Sequence, residues 1–338
     1  MAKLLKKFNR YLRSRVVAKT RGSFIYFYLY YSYWNANFFS NQRKRIGNEN
    51  SPTLYFTAVP NQGAGIGHQL ANWIAGYWWA KQFNVTFAHI PFSSESWESF
   101  LSFGDNEVLV SDLEKNGYRM VKIPLFKENN FEEVEVIKKI IESYRGKRVI
   151  LVCEQDQNYR DQFGVIEDIR YKFYNSAIRR TEKLIFSERN YNIAIHVRRG
   201  DILSDPDNAN LQMRFISADY FQNVLDQTLE IIKSNKPMHI YFFSQGIVDD
   251  FAEFSNYPNL HWCLDMTAKD SFLHMVYADV LITSKSSFSY KPALLNKNIK
   301  IVPENFWHGY PANNHWIIAN KNGIIYEECK ILLNKEVN

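Results

Sequence analysis

Cysteine is scarce. The chain has three in 338 residues, Cys153, Cys263 and Cys329, too few for a disulfide framework. No C-x-x-C pair or Cys/His cluster is present, so the common zinc patterns are excluded and a reducing compartment is the expected setting. Long apolar runs are also missing. The stretch Phe24-Ile-Tyr-Phe-Tyr-Leu-Tyr-Tyr-Ser-Tyr-Trp34 falls short of the roughly 20 apolar residues that span a bilayer. No small-residue cleavage site follows it, so it does not read as a signal peptide. Internal repeats and low-complexity segments are absent. What the chain does have is ample core-forming material, 46% hydrophobic and 22% charged, which excludes a disordered or fibrous protein. Aromatics reach 16%, a level that suits interfaces and sugar-stacking surfaces but also follows from AT-rich codon usage.

Acidic residues are missing from the first 45 positions. That segment carries 11 basic residues, namely Lys3, Lys6, Lys7, Arg10, Arg13, Arg15, Lys19, Arg21, Arg43, Lys44 and Arg45. The other 293 residues hold 30 Lys/Arg against 35 Asp/Glu, so a chain of net charge +6 divides into a basic tail and a slightly acidic body. The body does not have the charge of a nucleic-acid-binding globule, and no RNA-binding module accompanies the tail. Residues 1–21 read as a helix with Leu4, Leu5, Phe8, Leu12, Val16 and Val17 near one face. Two readings of this tail stay open. It lies peripherally on an anionic membrane surface, which would place the protein in the cytoplasm, or its aromatic run packs on the protein itself.

Beyond a polar linker the chain alternates strand, polar loop and helix. Strands are expected at 54–59, 85–90, 148–153, 191–197, 238–244, 280–283 and 299–302. Helices are expected at 68–82, 131–144, 166–187, 218–234 and 270–278, with another from 286 to 295. This alternation implies an α/β fold with parallel sheets. Two Rossmann-like domains facing a central cleft are expected, residues 46–165 and 166–338, joined through a linker helix at 166–187 and preceded by the tail, 1–45. Ligands would bind at the carboxyl ends of the strands.

Three segments carry chemistry. Ile195-His-Val-Arg-Arg-Gly-Asp201 closes a strand with adjacent arginines, an unfavourable choice unless an anion or carboxylate meets them. Thr283-Ser-Lys-Ser-Ser-Phe-Ser289 places hydroxyls and unpaired N–H groups at a helix start, which suits an anion. Asn61-Gln-Gly-Ala-Gly-Ile-Gly-His68 allows close backbone approach. It is neither a Walker loop, since no Gly-Lys-Ser/Thr follows, nor a dinucleotide fingerprint, since its glycines are wrongly spaced.

His196-Val-Arg-Arg-Gly-Asp201 resembles the H-x-R-R-x-D signature of the GDP-fucose-dependent fucosyltransferases, the α1,2/α1,6/protein-O-fucosyltransferase superfamily. Gly65-Ile-Gly-His-Gln69 is similar to its G-x-G-N-Q turn, with His68 in place of Asn. Asp279-Val-Leu-Ile-Thr-Ser-Lys-Ser-Ser-Phe-Ser289 is similar to its S-S-F-S segment. Ser217-Ala-Asp-Tyr-Phe221 and Tyr241-Phe-Phe-Ser244 resemble the α1,2 branch, and the likeness spans roughly residues 54–305. The resemblance implies a GT-B fold and inverting transfer of fucose from GDP-fucose, without a metal or other cofactor, to a glycan or lipid-linked oligosaccharide. Carried over by position, Arg198 binds the β-phosphate and Arg199 supports the donor pocket, which His196 and Asp201 shape. Ser286 and Ser287 bind phosphate, Asp270 reads guanine, and Gly65, Gly67, Ser244 and Phe288 complete the site. A base for the acceptor hydroxyl would be His68, Asp205 or Asp207, with Glu95 more remote. Asp205-Pro-Asp207 is formally D-x-D but does not have the look of a metal pair. Trp97 and the stretch Trp307-His-Gly-Tyr310 either stack on acceptor sugars or belong to the core. Two other readings remain: a GT-B enzyme using another nucleotide sugar, and a non-catalytic glycan- or membrane-binding protein on a transferase scaffold.

Overall fold

A computed structural model describes residues 2–34, 53–153, 161–200, 202, 205, 207–264 and 266–330. The chain forms two compact units. The first holds Met1–Gln62, Ala71–Pro91 and Asn106–Arg160; the second holds Gly63–Leu70, Phe92–Asp105 and Asp161–Asn338. The helices are α1 (Ala2–Thr20), α2 (Phe24–Tyr28), α3 (Ile66–Gln82), α4 (Glu95–Leu101), α5 (Val110–Lys115), α6 (Phe131–Glu142), α7 (Ile166–Asn175), α8 (Ala209–Gln212), α9 (Ala218–Ile231), α10 (Ala268–Tyr277) and α11 (Ser287–Leu295). The strands are β1 (Tyr55–Ala58), β2 (Thr86–His89), β3 (Val108–Leu109), β4 (Arg119–Lys122), β5 (Val149–Cys153), β6 (Tyr191–His196), β7 (Met238–Phe243), β8 (Leu260–Cys263), β9 (Val280–Ile282), β10 (Ile299–Pro303) and β11 (Trp316–Ala319). Each unit has one parallel sheet, which is the expected α/β organisation.

The sheet of the first unit runs β3-β2-β1-β5-β4. Phe56 of β1 sits opposite Phe87 on one side and Leu151 on the other, all buried. Asn130 starts α6 by accepting from the amides of Glu132 and Glu133, at 3.1 and 3.2 Å. Ile137, Ile140 and Ile141 then recur at helical spacing and are buried. The aromatic run that follows α1 docks here. Tyr26 accepts from the Leu125 amide (2.8 Å), and Tyr144 donates to the Tyr30 carbonyl (2.7 Å). Ser32 exchanges hydrogen bonds with Ser143. Packing of the run on the protein is therefore real. The helix α1 before it is anchored through Arg13, whose guanidinium lies 5.6 Å from the Tyr30 ring.

The sheet of the second unit runs β11-β10-β9-β6-β7-β8. Apart from its first residue, every position of β6 is buried, as are all positions of β9 and β10, as befits central parallel strands covered on both faces. Ile195 pairs with Phe242 and with Ile282, which sets the strand ends level. The C-terminus of α11 is closed by donors: Arg170 to the carbonyls of Leu294 (3.0 Å) and Asn296 (2.5 Å), Tyr174 to Leu295 (3.2 Å) and Lys300 to Asn296 (3.3 Å). Cations belong at this end of a helix. Asn296, fully buried, donates to the carbonyls of Met275 (3.0 Å) and Ala278 (2.9 Å), joining α10 to α11.

The expected helix 166–187 is shorter. It ends at Asn175, because Ser176 turns extended (ψ 138°). The Ser176 hydroxyl bonds Ser102 (2.6 Å), and a 3-10 turn, Ala177–Arg180, then carries Arg179 between two rings. Its guanidinium carbon lies 3.9 Å from the Phe173 centroid and 4.6 Å from Phe100. These contacts outweigh helical propensity. Four elements between residues 92 and 122 and the strands β8 and β11 were not expected. They are short, and β4 has only a weak alternation of half-buried and exposed positions.

Replacing Asn296 with Ala removes two buried hydrogen bonds and leaves the Met275 carbonyl without its side-chain donor, while the Ala278 carbonyl keeps the one from Asn298 (3.0 Å). A loss of about 2–3 kcal/mol in urea-unfolding stability is expected.

Candidate functional site

The strands β6, β7 and β9 end at nearly the same level, and the three loops that leave them build the site. One hydroxyl ties two of these loops together. Ser284, buried just past β9, donates to the carbonyl of His196 (2.6 Å) and accepts from the amide of Arg198 (2.9 Å). The link continues the β6–β9 contact beyond their last backbone pair and fixes the backbone on both sides of Val197. Arg198, half-buried, reaches the hydroxyl of Ser286 through Nη1 (3.5 Å). Ser286 is the N-cap of α11, its Oγ accepting from the Phe288 amide (3.2 Å). The guanidinium thus lies beside the positive end of a helix, an arrangement that stores positive potential and favours an anion.

His196 sits behind this pair. Its ring is 5.5 Å from that of Phe288, and its buried Nδ1 has no partner among the described residues. Burial, with a smaller effect from the nearby Arg198 charge, pushes its pKa down to about 3. The imidazole is therefore neutral at ordinary pH and does not compete with Arg198 for an anion. Phe288 also packs on Phe272, at 6.1 Å. Arg199 turns away from Arg198. Its Nη1 donates to the carbonyls of Arg198 (3.0 Å) and Ile216 (3.1 Å), and its carbon lies 4.9 Å from the Phe215 ring. Burial lowers its pKa. The two arginines divide the work: one faces the loops of α11, the other holds the loop that carries it.

Ser244, at the end of β7, donates to the Val197 carbonyl (2.7 Å), so this hydroxyl shapes the loop. Gly200 follows with φ +56°, and an added Cβ would collide with the Gln245 side chain. Asp201 lies outside the described residues. The Gly65–Gln69 turn approaches from another part of the chain. The Gly65 carbonyl accepts from the amides of His68 (3.0 Å) and Gln69 (3.2 Å), starting α3. A Cβ at Gly67 would lie 2.7 Å from the carbonyl carbon of Ser287, so only glycine lets the start of α3 touch the start of α11. His68 is half-buried next to this contact, and its imidazole makes no hydrogen bond among the described residues.

Asp270 accepts from the Thr267 hydroxyl (2.6 Å) while its amide donates back to the same oxygen (3.2 Å), so Thr267 caps α10 and orients the carboxylate. Asp205 and Asp207 are exposed, and Asp205 accepts from the Asn208 side chain (3.0 Å). Glu95 is exposed at the start of α4. Trp97 packs against Phe100 and Phe272, and Tyr310 donates to the Pro303 carbonyl within an aromatic cluster with Tyr290, Phe306 and Trp316. Both are half-buried, with these contacts on the protein itself. Among the described residues no group of three or more His, Cys, Asp or Glu is placed to hold a metal.

Two residues escaped the sequence reading. Gln69 binds Ala64 and Ser93 on one side chain, bracing the glycine turn (2.8 and 2.6 Å, with the Ser93 amide returning 2.9 Å). Its place directly after the turn was a usable signal. Lys285, between Ser284 and Ser286, brings a second cation to the start of α11. It was hidden by attention to the hydroxyls around it.

No protein-family model and no curated protein sequence matches this chain. Among solved structures it is similar to POFUT1 in complex with GDP, with 12% identity and a TM-score of 0.47 over 75% of this chain and 99% of that one. It is also similar to the fucosyltransferase NodZ from Bradyrhizobium, at 13% identity and a TM-score of 0.43 over 73% and 93%. A third similar structure is a variant of Arabidopsis thaliana FUT1 in complex with GDP, at 11% identity and a TM-score of 0.45 over 78% and 73%.

Two outcomes follow. Because the folded His196 resists protonation, stability is complete above the unfolded value of about 6.5 and is lost as pH falls from there towards about 3. Urea titrations stepped down from neutral pH should show this fall, with a shallower slope in His196→Asn. Gly67→Val should cost about 1–3 kcal/mol by overpacking, read as a lower thermal midpoint.

Proposed function

We propose that this chain transfers L-fucose from GDP-fucose to a hydroxyl of a glycan or lipid-linked oligosaccharide, with inversion, to give an α-linked product. The supporting observation is convergence. The three segments that carry the family resemblance lie far apart in sequence, and in the second unit they meet: Gly67 abuts Ser287, and Arg198 reaches Ser286.

The reaction has two demands. The bond between the fucose anomeric carbon and the β-phosphate oxygen breaks, and its electron pair leaves negative charge on GDP. Arg198, the first amides of α11, the Ser286 and Ser287 hydroxyls and Lys285 are suited to hold that charge, which makes a protein-only site sufficient in this proposal. The acceptor oxygen attacks the opposite face of the carbon and gives up its proton. His68 is the assigned base, since it adjoins the donor loops with an uncommitted imidazole, whereas Asp205 and Asp207 are solvated. Asp270 contributes to the guanine side in this reading, with its carboxylate oriented by Thr267. Arg199 and Ser244 act by positioning the Arg198 loop.

Isothermal calorimetry tests the donor site. GDP should bind in the presence of EDTA, and Arg198→Ala should weaken it about 10- to 150-fold, equivalent to about 1.5–3 kcal/mol for a charged hydrogen bond. Absence of GDP binding by the wild type ends the proposal. In a panel of nucleotide sugars, only GDP-fucose should be slowly hydrolysed without acceptor; turnover of another donor instead transfers the reading to that sugar. His68→Ala should lower kcat by about 100-fold or more with donor KM little changed.

A further inference from the structure

The helix α1 is oriented against the usual rule for an amphipathic helix on a soluble protein. Its inward side carries Arg13, Val17 and Thr20, which are half-buried. Phe8, Leu12 and Val16, spaced four residues apart on another side, are 58%, 45% and 46% exposed. A helix packed for its own protein's benefit would present that apolar stripe inward. Arg15 and Lys19 are exposed with the stripe, and the Arg15 side chain rests on the Tyr11 ring. After the turn, Phe24 and Ile25 are 67% and 61% exposed, and Tyr33 and Trp34 are exposed as well.

This exposed set is held in place. The same run that exposes Phe24 and Trp34 is fastened to the first unit through Tyr26, Tyr30 and Ser32, as described above. The segment is therefore a docked element of the first unit with one polar-bonded side and one side that mixes apolar and basic residues, and no helix among the described residues is long and apolar enough to cross a membrane.

We propose that this outward side is a docking surface for an anionic phospholipid bilayer. Phe8, Leu12, Val16 and Phe24 enter the acyl boundary, Tyr33 and Trp34 sit at headgroup level, and Arg15, Lys19 and Arg21 meet the phosphates. Charge selects this occupant. The first 45 residues carry 11 basic side chains and no acidic one. Two copies of such a surface repel each other, whereas an anionic lipid surface attracts each cation. The proposal is independent of the donor assigned above.

Flotation of the full-length protein with vesicles decides it. The protein should rise with phosphatidylcholine vesicles containing phosphatidylglycerol, and not with phosphatidylcholine alone. Binding should fall roughly tenfold or more in Phe8→Ser/Leu12→Ser/Val16→Ser, in Arg15→Glu/Lys19→Glu and at high salt. Both variants should keep the wild-type thermal midpoint and GDP affinity, since the replaced side chains are exposed; GDP binding measured alongside separates this test from that of the donor site. The proposal is overturned if the wild type ignores anionic vesicles or if the triple variant binds them as well as the wild type. It is also overturned if the stripe proves to hold a dimer that the triple variant dissociates.

Discussion

The site depends on the single hydroxyl of Ser284. Parallel strands diverge once their ladder ends, and β6 and β9 share their last backbone pair at Ile195 and Ile282. By giving its proton to the His196 carbonyl and taking one from the Arg198 amide, Ser284 carries the pairing two residues further. That extension decides where Arg198 emerges. A buried side chain thus performs a backbone's task, at the place where strand ends become loops and chemistry begins.

The helix α11 is the second constraint. Its two ends are treated oppositely. At the C-terminus, Arg170, Lys300 and Tyr174 occupy the carbonyls, so no donor is wanted there. At the N-terminus the neighbours are Arg198 and Lys285, which add to the helix's own positive end instead of cancelling it. Cations at both ends leave the start of the helix with an excess of positive potential. The neutrality of His196 fits the same economy: a third charge would have to be desolvated beside Arg198, and burial prevents it.

The parallel α/β architecture was legible because strands such as Val149–Cys153 and Val280–Ile282 are continuous apolar runs, and helices such as Phe131–Glu142 carry both a cap and a period. The segment 92–122 was not, since a two-residue strand and a six-residue helix leave no periodicity to read. At the site, the residue types were legible and their division of labour was not. Adjacent arginines look alike in sequence; only tertiary contacts send Arg199 to the Ile216 carbonyl and Phe215 ring while Arg198 faces Ser286. Ser244 and Asp270 likewise make local hydrogen bonds that no sequence pattern reveals. The tail was posed as a choice between a membrane surface and packing on the protein. Its aromatic run packs while Phe8, Leu12 and Val16 of α1 stay exposed, a two-sidedness that a one-dimensional pattern cannot express.

The fastening of the aromatic run bears on where this chain tolerates being cut. Trimming it to begin at the first strand would strip the Leu125 amide and Tyr144 hydroxyl of their partners and take Ser32 away from Ser143. It would also bare the surface now covered by Tyr26, which is 3% exposed. A shortened version made for convenience of expression would therefore begin life with a wound in its first unit, and a poor yield would report on that wound and not on the loops around Arg198.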